Sequence, residues 1–87
     1  MDLINAAKKC DFELAFTLIT SKYPVNGRDN DNATALYWSA IRGHAHMCDV
    51  LVQSGCEVNT RVTWGSTALH AAADRGHTDC VEVLLRR

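Results

Sequence analysis

The residues of this chain best suited to chemistry are two histidines and a cysteine close together in the sequence, His44, His46 and Cys48. His44 and Cys48 have the i, i+4 spacing that could aim two side chains of a helix at one metal ion. A cysteine beside a histidine can also act as a nucleophile with its base. However, Cys48 falls on an apolar face with Met47 and Leu51, and spacing identifies no third residue to orient a catalytic pair. Glycine-rich phosphate loops and paired carboxylates are missing as well, so we expect no metal, no cofactor and no catalysis.

Composition narrows the remaining classes of function. The 87 residues suffice for one small domain, and a formal net charge of −1 argues against a dedicated nucleic-acid binder. No apolar run is long enough to span a bilayer, and the first residues lack a signal-peptide profile, so we expect no membrane partner. The four cysteines stand singly, which favours a reducing compartment, the cytosol or the nucleus: Cys10, Cys48, Cys56 and Cys80.

The chain is built from a repeat with a period of 33 residues. Residues 34–37 and 67–70 read Thr-Ala-Leu-Tyr and Thr-Ala-Leu-His, and each is followed by Gly-His, at residues 43–44 and 76–77. Residues 28–54 align with residues 61–87 without a gap, and a fainter copy includes Leu3 and Ala7. Such internal periodicity is typical of an array of small structural units.

Each unit is predicted to hold two helices joined by a tight turn. Thr34 and Thr67 are N-cap residues for the first helix, and Gly43 and Gly76 end it in the left-handed conformation. Paired apolar positions one turn apart predict the second helix, at residues 14–19, 47–52 and 80–85. A polar stretch without strong helix formers follows. It contains Asn32 at the position of Gly65, and asparagine also tolerates left-handed geometry.

The period, the Thr-Ala-Leu-His segment and the Gly-His pair resemble the ankyrin repeat along the whole chain. The resemblance implies an all-α solenoid of stacked helix-turn-helix units whose polar stretches form β-turn fingers. We divide residues 1–87 into an N-terminal capping repeat (1–27), a second repeat (28–60) and a truncated third repeat (61–87). Cys10 and Asp11 replace the Gly-His pair in the first unit, as suits a capping repeat with one side in water.

The third unit stops before the glycine turn that closes the first two. Its apolar residues Leu69, Ala73, Val81 and Leu85 would then form an unmatched hydrophobic face. We expect the chain to be the N-terminal part of a longer array. The alternative is a short protein that covers this face by self-association through the uncapped C-terminal repeat.

The resemblance implies that the chain binds another protein through the concave surface formed by finger tips and first helices. Carried over position by position, the residues expected to contact the partner are Lys9, Arg28, Asn30, Asp31, Trp38, Arg42, Arg61, Trp64 and Arg75. Neither nucleic acid nor membrane is an expected partner.

Two features of this surface each leave an alternative open. Lys9, Arg42 and Arg75 recur at one position of the unit and could form a row of cations for an acidic segment of the partner, or simply complement helix dipoles. Trp38 and Trp64 could be binding hot spots, or their rings could lie over neighbouring cations, as Trp38 would over Arg42.

Three classes of function fit these expectations. The first is a non-catalytic scaffold, the N-terminal recognition part of a larger adaptor, signalling or ubiquitin-ligase subunit. The second is a regulatory appendage of an enzyme whose catalytic domain lies beyond Arg87. The third is a small self-associating protein.

One asparagine is a candidate for modification. Asn59 follows Glu57 and Val58, with Leu51 eight residues before it, and this resembles the ankyrin-repeat sites of 2-oxoglutarate-dependent asparaginyl hydroxylases. Asn26 has similar spacing but lacks the acidic residue, so it is the poorer candidate. The alternative role for Asn59 is structural, with its side chain bonded to the turn backbone.

Overall fold

The computed structural model describes residues 3–21 and 23–86, and within these ranges it contains six α-helices and no strand. The helices are α1 (Leu3–Lys9), α2 (Phe12–Thr20), α3 (Ala35–Ile41), α4 (Ala45–Gln53), α5 (Ala68–Asp74) and α6 (Thr78–Leu85). They form three pairs, α1 with α2, α3 with α4 and α5 with α6. The first helices stack in the order α1, α3, α5, and α4 packs on α6. The prediction of an all-α stack of helix pairs is confirmed.

Local sequence signals determine where the helices begin and end. The hydroxyl of Thr34 accepts a hydrogen bond from the backbone N–H of Tyr37. Thr67 and His70 form a reciprocal capping box at the start of α5, so both predicted N-caps are confirmed. The predicted left-handed glycines are also found, with φ of 80° at Gly43 and 73° at Gly76. The sequence therefore specifies both ends of these first helices.

Two residues other than glycine adopt the same left-handed conformation. Cys10, which replaces the turn glycine in the first unit, has φ of 56°, and Asn32, at the position of Gly65, has φ of 62°. Asparagine tolerates this region better than most residues, whereas the Cβ of cysteine is unfavourable there. The first unit thus keeps the turn of the others at some cost in backbone strain.

The fingers are closed by their own backbone hydrogen bonds. The N–H groups of Asp29 and Val62 each donate to the carbonyl four residues further on, at 3.0 and 2.9 Å. A cross-finger bond of 2.9 Å runs from the N–H of Thr63 to the carbonyl of Asp31. Together these bonds fix the finger tips relative to each other.

The burial of equivalent residues shows which contacts lie between units and which lie within a unit. Leu36 and Ala40 are fully buried, but the equivalent residues of the last unit are not: Leu69 is half-buried and Ala73 is exposed. These positions are therefore covered by the following unit. Leu85 completes the uncovered face and is 67% exposed. Leu69, Ala73 and Leu85 are thus the more exposed apolar residues of the third unit, at the positions where an unmatched face was expected.

A different position is buried in all three units, so its burial does not require a following unit. It holds Ala6, Ser39 and Ala72, which are 1%, 0% and 0% exposed. Among the described residues, the hydroxyl of Ser39 has no hydrogen-bond partner. A buried hydroxyl without a partner loses its hydration and gains nothing in return.

Replacing this serine should stabilise the fold. We expect Ser39→Ala to raise the free energy of unfolding by about 1 kcal/mol, because it removes an unpaired buried polar group at a position where the other units hold alanine. Urea denaturation followed by circular dichroism measures the change. The reverse substitution in the third unit, Ala72→Ser, is the matched control and should destabilise by a similar amount. A stability loss in Ser39→Ala would show that the hydroxyl is bonded in solution.

Candidate functional site

Three cations occupy equivalent helix ends and line one groove. Lys9 is the last residue of α1, while Arg42 and Arg75 are the C-caps of α3 and α5. The groove has a volume of about 500 Å³ and also contains Lys8, Ile41, His44 and His77. At a helix C-terminus each cation also complements the helix dipole. The two alternatives for this row are therefore compatible: the same charges can stabilise their helices and face a partner.

Two histidines line the groove together with these cations. His44 and His77 precede α4 and α6, and Nε2 of His77 lies 3.2 Å from the carbonyl oxygen of Ile41. The His77 ring also packs against Gly43, where an added Cβ would lie 2.9 Å from ring atoms. Gly43 is thus required for a close approach as well as for its positive φ. Burial, together with the charges of Arg42 and His77, lowers the pKa of His44 below its ordinary value of 6.5.

The arrangement around Cys48 is unfavourable for metal binding or nucleophilic catalysis. Cys48 is fully buried, and burial together with the neighbouring Cys80 thiol raises its pKa above the ordinary value. The thiolate needed for either role is therefore disfavoured. Within residues 3–21 and 23–86, no group of three or more His, Cys, Asp or Glu side chains could hold a metal ion.

Trp38 is engaged within the stack. Its indole Nε1–H donates to Oδ2 of Asp29 at 2.9 Å. Nζ of Lys8 lies 4.4 Å from the Trp38 ring centroid, and the guanidinium carbon of Arg42 lies 6.0 Å from it. The ring therefore lies between cations of its own unit and of the preceding one, as the second alternative for Trp38 expected.

Asp29 anchors this arrangement. Burial by itself raises the pKa of the Asp29 carboxyl. The opposing effects are larger, so the pKa is lowered overall. They are hydrogen bonds from the N–H of Ala33, the Trp38 indole and the N–H of Asp31, together with the charge of Lys8. Asp29 therefore links the base of the finger to the first helix. Val62, at the same position of the third unit, is buried in an apolar cluster with Ala33, Tyr37 and Ala71 instead.

Trp64 differs from Trp38 in its exposure. It lies on the finger of the third unit, is 61% exposed, and makes an edge-to-face contact with Tyr37 at a centroid distance of 6.3 Å. Tyr37 is buried and makes a similar contact with Trp38 at 5.9 Å. The three rings form an aromatic row with Trp64 at its exposed end. A large exposed ring fixed at one edge is suited to contact a partner.

The remaining predicted residues lie on the fingers. Arg28 and Arg61 line a second groove of about 600 Å³ together with Glu57, Val58, Asn59 and Thr60. Nη1 of Arg61 donates to the carbonyl of Gly65 at 2.9 Å, so this cation also braces its own finger. Asn30 and Asp31 are exposed at the tip of the finger of the second unit. The predicted contact residues thus fall into a helix-end group and a finger group, and Trp38 lies between them within α3.

Sequence reasoning missed Lys8 and Tyr37 as members of this surface. Lys8 occupies the position of Ile41 in the next unit, and that residue packs against the same aromatic cluster. The third unit holds Asp74 at this position, so the repeat pattern gave no apolar consensus against which Lys8 stood out as a cation placed over a ring. Tyr37 gave a weak signal, because only its substitution for the structural histidine of the third unit marked it.

None of the helices in the described part of the protein is long and apolar enough to cross a membrane.

Comparisons with known proteins agree with this architecture. A family model for ankyrin repeats, in three copies, matches residues 3–87. Among 352 matching chains of solved structures is the crystal structure of the human ASB11 ankyrin repeat domain. It is 29% identical, with a TM-score of 0.93 over 99% of this chain and 39% of that chain. The present sequence therefore spans well under half of that domain. The search of curated proteins gave no match.

The lowered pKa of His44 should make stability depend on pH. Because the folded state holds the proton less tightly than the unfolded state, the contribution of neutral His44 is present above about pH 6.5 and is lost as the pH falls further. We expect the urea midpoint to decrease from about pH 7.5 to about pH 5.5, and to decrease less in His44→Gln. Equal decreases in both proteins would assign the effect to another histidine.

Proposed function

Because the chain belongs to the ankyrin repeat family, we propose that it is a scaffold that binds a partner protein through its inner surface. We define the inner surface by the two fingers (residues 28–34 and 61–67) and by α1, α3 and α5. Ankyrin repeats are general protein–protein interaction modules. Seven of the nine predicted contact residues lie within these ranges, and Arg42 and Arg75 are the C-caps that directly follow α3 and α5. The groove of helix-end cations adds Lys8 to the proposed contacts.

The observation that carries the proposal is the exposure of Trp64. A tryptophan that is 61% exposed leaves a large apolar area in water, and its contact with buried Tyr37 holds it in place. Burying such a ring against a partner releases that area from water without ordering a mobile side chain. Trp38 also contacts the Tyr37 ring, edge to face, so the aromatic row includes both tryptophans.

The partner's contacting segment is acidic in this proposal. Lys9, Arg42 and Arg75 line the same groove with Lys8, whose charge also acts on Asp29 within the stack. A run of carboxylates along the groove would meet cations from all three units. Such complementarity acts mainly on the association rate and on specificity.

The wider role that we propose is the N-terminal recognition part of a larger adaptor, signalling or ubiquitin-ligase subunit, without catalysis of its own. The match covers only 39% of the chain in the ASB11 ankyrin repeat structure, which supports a longer array in the proposal. A regulatory appendage of an enzyme is the alternative. The proposed location is the cytosol or nucleus, supported by four free cysteines, as suits a reducing compartment.

Self-association is a second candidate, favoured by the uncovered face of the third unit. Leu85 is 67% exposed and lies beside half-buried Val81. Sedimentation equilibrium at two concentrations separates the candidates, because a self-associating protein gains mass with concentration. Leu85→Glu should then restore the monomer mass.

The binding proposal is tested by removing the exposed ring. A partner captured by the wild-type protein and identified by mass spectrometry is titrated against purified variants. Trp64→Ala should weaken its binding by about thirtyfold, the effect of a hot-spot residue, while leaving thermal stability nearly unchanged. Phe16→Ala is the matched control, because Phe16 is 52% exposed on α2, outside the inner surface, and should bind as wild type does. Equal binding by all three proteins would contradict the proposal.

The same titration tests the charge of the partner. Reversal of Arg42 and Arg75 to Glu should slow association and flatten its dependence on salt, with folding preserved. If binding by the doubly reversed variant at low salt equals that of the wild type, the groove of helix-end cations is not the recognition surface.

Modification of Asn59 is a further part of the proposal. Oδ1 of Asn26 accepts a hydrogen bond from the N–H of Glu57 at 2.8 Å and so ties one unit to the next. Asn59, at the equivalent position, is exposed, and its side chain makes no hydrogen bond within the described residues. It therefore lacks the structural bond that holds Asn26. This difference favours Asn59 over Asn26 as the substrate of a hydroxylase.

Hydroxylation should be detectable by mass spectrometry. A 2-oxoglutarate-dependent enzyme would insert one oxygen atom of O₂ into a C–H bond of the asparagine side group, while the other enters succinate as 2-oxoglutarate loses CO₂. We expect protein from cells to carry one added oxygen on Asn59, lost when iron or 2-oxoglutarate is depleted. Asn26 in the same sample is the internal control and should stay unmodified. Unmodified Asn59 at high peptide coverage from hydroxylase-rich cells would contradict the proposal.

A further inference from the structure

A small pocket lined mostly by apolar residue types, with about equal polar and apolar exposed surface, lies at the N-terminal end of the stack, apart from the aromatic row. Its volume is about 120 Å³, and its described lining comes from α1, the segment after α2, and the start of α3: Leu3, Ile4, Tyr23, Pro24, Val25, Gly27, Arg28 and Ala35. An apolar cavity of about 150 Å³ holds a benzene molecule. This pocket therefore has room for one branched aliphatic side chain.

The wall formed by residues 23–27 is held in place by the next unit. The N–H of Glu57 donates to Oδ1 of Asn26 at 2.8 Å, and Sγ of Cys56 lies 3.5 Å from the carbonyl oxygen of Val25. Within the first unit, the N–H of Tyr23 donates to the carbonyl of Leu18 at 3.0 Å. Because these bonds fix the segment on both sides, the pocket is formed before a ligand arrives. Preformed pockets bind with little ordering cost.

One charged residue lines the pocket. Arg28 is exposed, and its guanidinium makes no ion pair or hydrogen bond within residues 3–21 and 23–86. It also lines the groove that contains Arg61. An aliphatic side chain in the pocket would thus lie beside a cation able to receive a carboxylate in a paired geometry.

We propose that this pocket binds a leucine-like side chain of a partner segment whose next residue is acidic, with the carboxylate on Arg28. The proposal rests on the proposed function in taking the ligand to be part of a partner protein. It adds the identity of two partner residues and a site at the opposite end of the stack from Trp64. The charge of Arg28, the one cation among the described lining residues, is the reason for proposing an acidic residue beside the aliphatic one.

Short peptides test the pocket directly. Acetyl-Leu-Asp-Gly-amide is titrated into the isotopically labelled protein to millimolar concentration, and amide shifts are followed by NMR. We expect shifts at Ile4, Val25, Gly27 and Arg28. Replacing leucine by serine in the peptide should weaken binding about tenfold or more. Replacing aspartate by asparagine should weaken it about two- to fivefold.

Two protein variants complete the test. Arg28→Gln should remove the preference for aspartate over asparagine while leucine still binds. Gly27→Phe should reduce the binding of every peptide, because its ring would occupy the pocket. We expect folding to be preserved, since a Cβ at Gly27 meets no atom within 4 Å and the φ of Gly27 is outside the left-handed region. Absence of pocket shifts, or equal binding of the leucine and serine peptides, would overturn the proposal. These peptides need no natural partner. The peptide titration can therefore contradict the pocket proposal while the Trp64→Ala experiment supports the proposed function, and the opposite result is equally possible.

Discussion

The structure depends on one apolar contact that recurs between units, in which a leucine and an alanine of each first helix are covered by the following unit. Leu3 and Leu36 are buried where this contact exists, and Leu69 is only half-buried where it does not. Full burial of such a leucine is worth about 1.5 to 3 kcal/mol. Since the described helices have only seven to nine residues, too few to be stable alone, each unit relies on its neighbours for its structure.

The same contact determines the shape of the proposed binding surface, because it repeats the helix ends at one spacing. Lys9, Arg42 and Arg75 end successive first helices and so meet in one groove. Cations placed side by side repel one another, but each lies at a negative helix terminus that offsets part of the repulsion. The row can therefore persist in the folded protein. An anionic partner would remove the remaining repulsion, which is a gain available only on binding.

The helix ends, the turns and the cation row could be predicted from the sequence. The side-chain contacts between units could not, and they share one cause. The caps at Thr34 and Thr67 and the left-handed turns at Gly43 and Gly76 depend on residues within a few positions of each other, so the sequence pattern specifies them. The cation row follows from the period alone. The placement of Lys8 over Trp38 and the close approach of Cys48 to Cys80 depend on rotamers across two units. Periodicity gives the register of such residues but not the direction of their side chains.

The two tryptophans show why position in the stack, and not residue type, determines which side chains are available to a partner. Trp38 satisfies its indole N–H with Asp29 and its ring face with Lys8, so a partner would have to replace interactions that already exist. Trp64 has a buried tyrosine at one edge and water over most of the rest. Its contact with a partner replaces water alone, and its conformation is already restricted. The net gain on binding is therefore larger at Trp64, although both rings belong to the same aromatic row.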